Sequence, residues 1–409
     1  MESGGSVSRR RVLIGGALGA LGVVGLSAAP AWSWSATGSV AADGSGADPR
    51  YIWDADVDQI VASLIDDGQV PLVNRILADW TTNNQALPSG LPADLADLLT
   101  EARRLPAWAD QNRLAAGARF TQKYGSYLGL LYGLCSGLLS CAIPHEARAV
   151  YYSAGAANMK LRVAKTAKLG YEVMQTDAYQ PTGQMIVTAC KTRMVHAGVR
   201  HLLPQSAGWE GAPTEVKPIS QDDILVTWHS LATTAMHHLT AWNVPMDPVE
   251  VDGFLHVWQV TAHMLGVLDE YIPATWSAAS MQYDQVLAPV IGPTPEGVEL
   301  ARVLLQIVAQ ADAGLTQPFV EAMIRYMLGR QVADWLEIPD NPYWDRFVSD
   351  GWPKYVAAHD ALLPVPLVPE GYGLFDQFVE QGVLFYVSDG QPINITIPTT
   401  NRVGPVRAD

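Results

Sequence analysis

An all-α fold in one large domain is what this sequence predicts, and three observations carry the prediction. Apolar residues recur at helical spacing from about residue 51 to 335. Helix-start signals punctuate that stretch, each a capping side chain placed before a proline or before acidic residues. The 409 residues are 49% hydrophobic and only 16% charged, against about 25% charged in an average soluble domain. Such a chain can bury a large core and is not a disordered one.

The first 31 residues read as an address. Ser8-Arg9-Arg10-Arg11 precedes an uncharged Gly/Ala/Leu-rich stretch that closes on Ala29-Pro30-Ala31, a small-residue cleavage signal. Paired arginines directly before the apolar run make it a twin-arginine signal, with a membrane-anchoring first helix as the competing reading. That route exports proteins already folded, often around a cofactor, so the signal directs attention to a prosthetic group. The expected partner is therefore the twin-arginine export machinery, and the expected location is outside the cell.

Residues 32–50 are Ser/Gly/Ala-rich and read as a flexible lead-in to one domain over 51–409. Helices are expected at 54–66, 70–80, 92–103, 109–119, 121–142, 146–177, 183–203, 221–242, 248–270, 295–313 and 318–336. Asp247-Pro248 and Thr294-Pro295 start two of them, and Ser220 followed by Asp222 and Asp223 starts a third. The Pro/Gly-rich stretch 204–219 reads as a loop. From about 338 the chain turns Pro- and aromatic-rich and irregular, ending in a β-like run at 383–397.

Residues 124–144 carry no charge and could span a bilayer by count. Gly125, Gly129, Gly133 and Gly137 recur every fourth residue on one face of this segment. Such a stripe admits a close-packed backbone or a flat rigid ligand. A helix packed at the centre of the core is the reading adopted over a membrane span, because the remaining chain is patterned as an ordinary globular domain.

The formal net charge is −15, and a duplex binder needs a basic face to displace counterions from phosphate, so nucleic acid is not an expected partner. Three cysteines, Cys135, Cys141 and Cys190, cannot build a paired framework and read as buried small hydrophobes. No nucleophile elbow, zinc helix, phosphate loop or dinucleotide fingerprint occurs, and without C-x-x-C-H there is no covalent c-type haem.

What remains is nine histidines and a basic cluster at 158–168. Arg162, Lys165 and Thr166 stand at i, i+3 and i+4 and share one helix face. Lys160 and Lys168 point elsewhere and read as solvated charges. A lysine in an apolar setting loses its proton readily, and a neutral amine can bind iron. His196 is followed by Ala197 and Gly198, small enough to leave room for a porphyrin plane. His201, His237, His238, His256 and His263 are rivals that spacing alone does not separate. Glu146, in Pro144-His145-Glu146, is either a first-turn acid complementing the helix dipole or a catalytic base.

The sequence resembles the latex clearing proteins, the rubber oxygenases of actinobacteria. The resemblance rests on RVAKTAK around Lys165, TRMVHAGVRHLLP around His196, the His145-Glu146 pair, the export signal and the overall length. It implies a haem b protein with a globin-like helical core and additional helices around it. His196 would be the proximal iron ligand, and Lys165 the distal ligand of a closed resting state. Arg162 and Thr166 match signature positions that support the haem pocket, and Glu146 matches a glutamate placed to take an allylic proton. The implied activity is dioxygenase cleavage of the cis double bonds of poly(cis-1,4-isoprene) by O2, giving oligo-isoprenoids with aldehyde and ketone ends. The implied protein is a monomer without stable membrane insertion. Two alternatives stand beside it: an exported haem oxygenase acting on a smaller terpenoid or lipid, and a non-catalytic haem or hydrophobic-ligand binder.

Overall fold

The structure, a computed structural model, describes residues 32–210, 217–362, 386, 388–391, 393–402 and 406–407. The export signal at 1–31 therefore lies outside the described residues, as does much of the 383–397 run. Helices dominate, and among the described residues the only β pairing is two isolated bridges, Ser39 with Pro273 and Ser153 with Asn401. The all-α expectation holds. The described part of 383–397 contains no strand.

The N-terminal segment is not a loose lead. Trp34 Nε1 donates to the Glu270 carbonyl at 3.0 Å, Val40 N donates to the Ile272 carbonyl, and Trp32 meets Tyr271 edge-on. Small residues made 32–50 look mobile, whereas its tryptophans supply the apolar area that fixes it.

Three short helices follow: α1 (Ala55–Asp66), α2 (Val70–Ala78) and α3 (Ala93–Ala102). The helices expected at 109–119 and 121–142 form one continuous run. It comprises α4 (Gln111–Leu130), a π-helical segment at Leu131–Ser136, the single turn α5 (Gly137–Leu139) and a 3-10 turn at Ser140–Ala142. The run kinks at Tyr124 (φ −116°, ψ 16°), whose hydroxyl donates to the Pro245 carbonyl. It is long and apolar enough to cross a membrane by composition, yet more than half of its most apolar window is buried inside the protein.

The helix expected at 146–177 is broken. Extended backbone at Ser153 (φ −74°, ψ 158°) separates α6 (Pro144–Tyr152) from α7 (Met159–Met174), which Asn158 caps by accepting from Leu161 N. Next come α8 (Met185–Leu202), the short α9 (Ala207–Glu210) and α10 (Gln221–Trp228), which opens on a full capping box between Ser220 and Asp223. A second π-helical segment, His229–Thr233, leads into α11 (Thr234–Ala241). The two π segments touch, with Ser136 Oγ and Ser230 Oγ 2.9 Å apart.

Helix α12 (Pro248–Met264) stops short of the expected 270, because Gly266 turns left-handed at φ +91°. The remaining helices are α13 (Trp276–Val286), α14 (Pro295–Ala311), α15 (Gln317–Trp335) and α16 (Pro342–Leu362). Sequence reading missed α13 and α16.

The tightest helix pair is α4 with α12 (Pro248–Met264). A Cβ on Gly117 would lie 2.5 Å from the Gly253 carbonyl oxygen, and one on Gly253 would lie 2.3 Å from Gly117 N. Close backbone approach is thus made at Gly117 and Gly253. The glycine stripe does something else: nothing lies within 4 Å of a Cβ built on Gly129 or Gly133. All three cysteines are buried and free, with burial pushing each thiol up to about 12.

Candidate active site

Helix α8 is stapled to α1 by ion pairs on either side of His196. Arg193, one turn before, donates to both oxygens of Asp54 at 2.8 and 2.9 Å. Arg200, one turn after and 2% exposed, donates to Asp58 at 2.6 Å and to the Ile219 carbonyl. His201 adds a third tie, to Asp66 at 2.8 Å. An imidazole on a helix held this way is pre-positioned. Burial, with the charges of Arg200, Arg162 and Arg193, lowers the His196 pKa to about 3. His196 is therefore neutral, the form that binds metal, and its buried Nδ1 has no hydrogen-bond partner among the described residues.

The rival histidines are engaged elsewhere. His256 accepts from Asp110 N at 2.8 Å and bonds Gln259, and His263 bonds Asp269 at 2.7 Å. His237 pairs with Ser280 and His238 with Cys135. This separates candidates that spacing could not.

Arg162 on α7 is the electrostatic hub. Burial lowers its pKa to about 10, while the charge of Glu146 pulls it back up. The same guanidinium helps keep Lys165 below the ordinary lysine value and His196 neutral. Glu146, Arg162, Lys165 and His196 are thus brought together from α6, α7 and α8. All four side chains are half-buried, yet desolvation dominates the titration of each, as expected of groups lining a hollow inside the protein. Thr166, on the same helix, is exposed and makes no side-chain hydrogen bond among the described residues.

Glu146 accepts from Thr227 Oγ1 at 2.6 Å, and burial raises its pKa to about 8 against the opposing pull of that hydrogen bond. Asp223 raises it further, while His145 and Arg162 lower it. His145 Nδ1 in turn bonds Asp223 Oδ1 at 2.7 Å. Asp223 and Thr227 are partners that sequence reading missed, because Asp223 is also an ordinary helix-start acid. Their i, i+4 spacing on α10 was the available signal.

Lys165 Nζ donates to Thr396 Oγ1 at 3.1 Å. That threonine belongs to a C-terminal strap that crosses the site. Asn74 brackets Ile397 with two 3.0 Å hydrogen bonds, Pro398 rests on Gly198, and Asn401 donates to the Leu202 carbonyl at 2.6 Å. Lys160 and Lys168 are not solvated charges. Lys160 pairs with Asp389 and lies over the Tyr386 ring, while Lys168 donates to Glu172 at 2.8 Å and Gln184 at 3.1 Å. The strap is far away in sequence, so nothing local announces these partners.

Three helices thus contribute a neutral histidine, a lysine whose pKa burial lowers and a carboxyl whose pKa burial raises to about 8. Residues 121–358 match the family model "ER-bound oxygenase mpaB/B'/Rubber oxygenase, catalytic domain", and the chain belongs to this family of oxygenases. It is 52% identical over 401 residues to the rubber oxygenase of Streptomyces sp. (strain K30), covering 97% of this chain and 98% of that one. It also matches a solved structure of latex clearing protein in the closed state, with TM-score 0.82 and 52% identity over 90% of this chain and all of that one.

Proposed function

We propose that this protein is a secreted haem b dioxygenase that cleaves the cis double bonds of poly(cis-1,4-isoprene) with O2, leaving aldehyde and ketone ends. The observation that carries the reading is His196, a neutral imidazole with an unpartnered buried nitrogen on a helix fixed by ion pairs. The rubber oxygenase relative supports the substrate. The arginine pair at Arg9-Arg10 supports export, which a solid polymer requires of its enzyme.

The residues present fit haem. Among the described residues no three His, Cys, Asp or Glu side chains cluster as a metal site, so one histidine suits a metal already held by four ring nitrogens. The open faces of Gly129 and Gly133 suit a flat ring, whereas Gly198 is covered by Pro398 of the strap. His196 and Lys165 are the residues that would hold the iron. Arg162, half-buried and without an ion pair among the described residues, suits an anionic group. When bound, haem supplies the iron that activates O2.

The chain's own residues orient substrate and manage the proton. Glu146 sits at the pKa where a carboxyl can both take and return a proton near neutral pH. Thr227 fixes which oxygen faces inward.

The test is the visible spectrum and oxygen uptake of the purified protein. A Soret band, lost in His196→Ala, with latex-dependent uptake is the expected result. Uptake only with short isoprenoids would give the smaller-substrate alternative, and a Soret band without uptake the binding-protein alternative. No Soret band despite ample haem supply would overturn the reading.

A further inference from the structure

A second polar site lies on another face of α8. Gln184, Val187, Thr188 and Lys191 share that face, and with Lys168 of α7, Trp80 and Thr81 after α2, and Ile393–Ile395 of the strap they enclose a cleft of about 210 Å3. Pockets for drug-sized ligands run to about 300–1,000 Å3, so this one suits a smaller molecule.

Its chemistry is lopsided toward donors. Lys191 is 7% exposed and forms no hydrogen bond or ion pair among the described residues. Two nearby acceptors, Glu172 and Gln184, both bind Lys168 instead. Asp79 attracts Lys191 from a distance, and Lys168 repels it. Trp80 Nε1, buried in the wall, has no partner among the described residues either. An uncompensated buried ammonium is costly in a folded protein unless something neutralises it, and this chain has many acids it could have placed there. Val187, Ile393 and Ile395 line the remaining wall with hydrocarbon.

We propose that this cleft binds a small oxyanion, seated on Lys191 with help from Lys168, Thr188 and Asn394, with the apolar wall favouring an organic carboxylate. Its lining shares no residue with the Glu146–Arg162–Lys165–His196 cluster. Because Asn394 and its neighbours belong to the strap that holds Thr396 against Lys165, an anion here ties the strap to α7 and α8.

Calorimetric titration of the purified, haem-loaded chain with sodium hexanoate and with sodium phosphate, at constant ionic strength, tests it. Saturable binding of one anion per chain is expected, weakened at least about tenfold in Lys191→Met, where a desolvated charge-assisted contact is lost. Asn394→Asp, which adds a negative charge at the mouth without touching the core, should weaken binding similarly. Tighter hexanoate identifies a carboxylate ligand and tighter phosphate a phosphate ligand, both within the proposal. Absence of saturable binding to either anion, or unchanged affinity in Lys191→Met, overturns it.

Discussion

If Glu146 takes a proton during turnover, the rate must follow its ionisation. Burial lifts its pKa to about 8, so the carboxylate fraction is about 9% at pH 7 and about 91% at pH 9. The sign follows directly: the competent base is the deprotonated form, so kcat on latex should rise about tenfold between those pH values. Glu146→Gln removes the titrating group and should flatten this limb while lowering the rate, with the Soret band unchanged. Thr227→Val deletes the hydroxyl that donates to the Glu146 carboxylate at 2.6 Å. A hydrogen bond to a charged group contributes about 1.5–3 kcal/mol, equivalent to roughly one to two pH units, so the limb should move to higher pH. The assay is oxygen uptake across pH 6–10 at saturating latex, with the absorption spectrum recorded at each pH. A rate that falls through pH 8 would assign the protonated form, and a limb that survives in Glu146→Gln would remove Glu146 from the proton step.

Lys165→Ala should change the resting absorption spectrum while haem content stays constant; an identical spectrum would place Lys165 off the iron. Asp58→Ala leaves buried Arg200 without its carboxylate, a change that costs about 3–5 kcal/mol, and calorimetric Tm should drop by several degrees. Gly253→Ala drives a Cβ into Gly117 backbone at 2.3 Å, where no flexible side chain can yield, so destabilisation by about 1–3 kcal/mol or more is expected from denaturant melts. An unchanged midpoint would mean that α4 and α12 can separate freely.

Much of the architecture was legible because helix formation is local. Asp247-Pro248, Thr294-Pro295 and Ser220 mark helix starts that the structure reproduces to within a residue. The segment 146–177 misled because its helical pattern continues through Ser153, where tertiary contacts impose extended backbone. Helix α13 was hidden by its weak apolar periodicity, and α16 by an internal proline at Pro353. Residues 32–50 looked mobile by composition, although Trp32 and Trp34 were the visible reason for them to pack.

The site divides along the same line. Sequence alone determined that Arg162 and Lys165 share a helical face, that His196 has small neighbours, and that the chain resembles the rubber oxygenases. These depend on residue identity and on spacing within one helix. Only the tertiary structure decided which histidine is unengaged, because engagement is a matter of partners such as Gln259, Asp269 and Ser280 on distant segments. It likewise placed Thr227 on Glu146. It also brought Thr396 to Lys165 from 231 residues away, a contact set by how the strap crosses α7 and α8 and by no pattern within either helix.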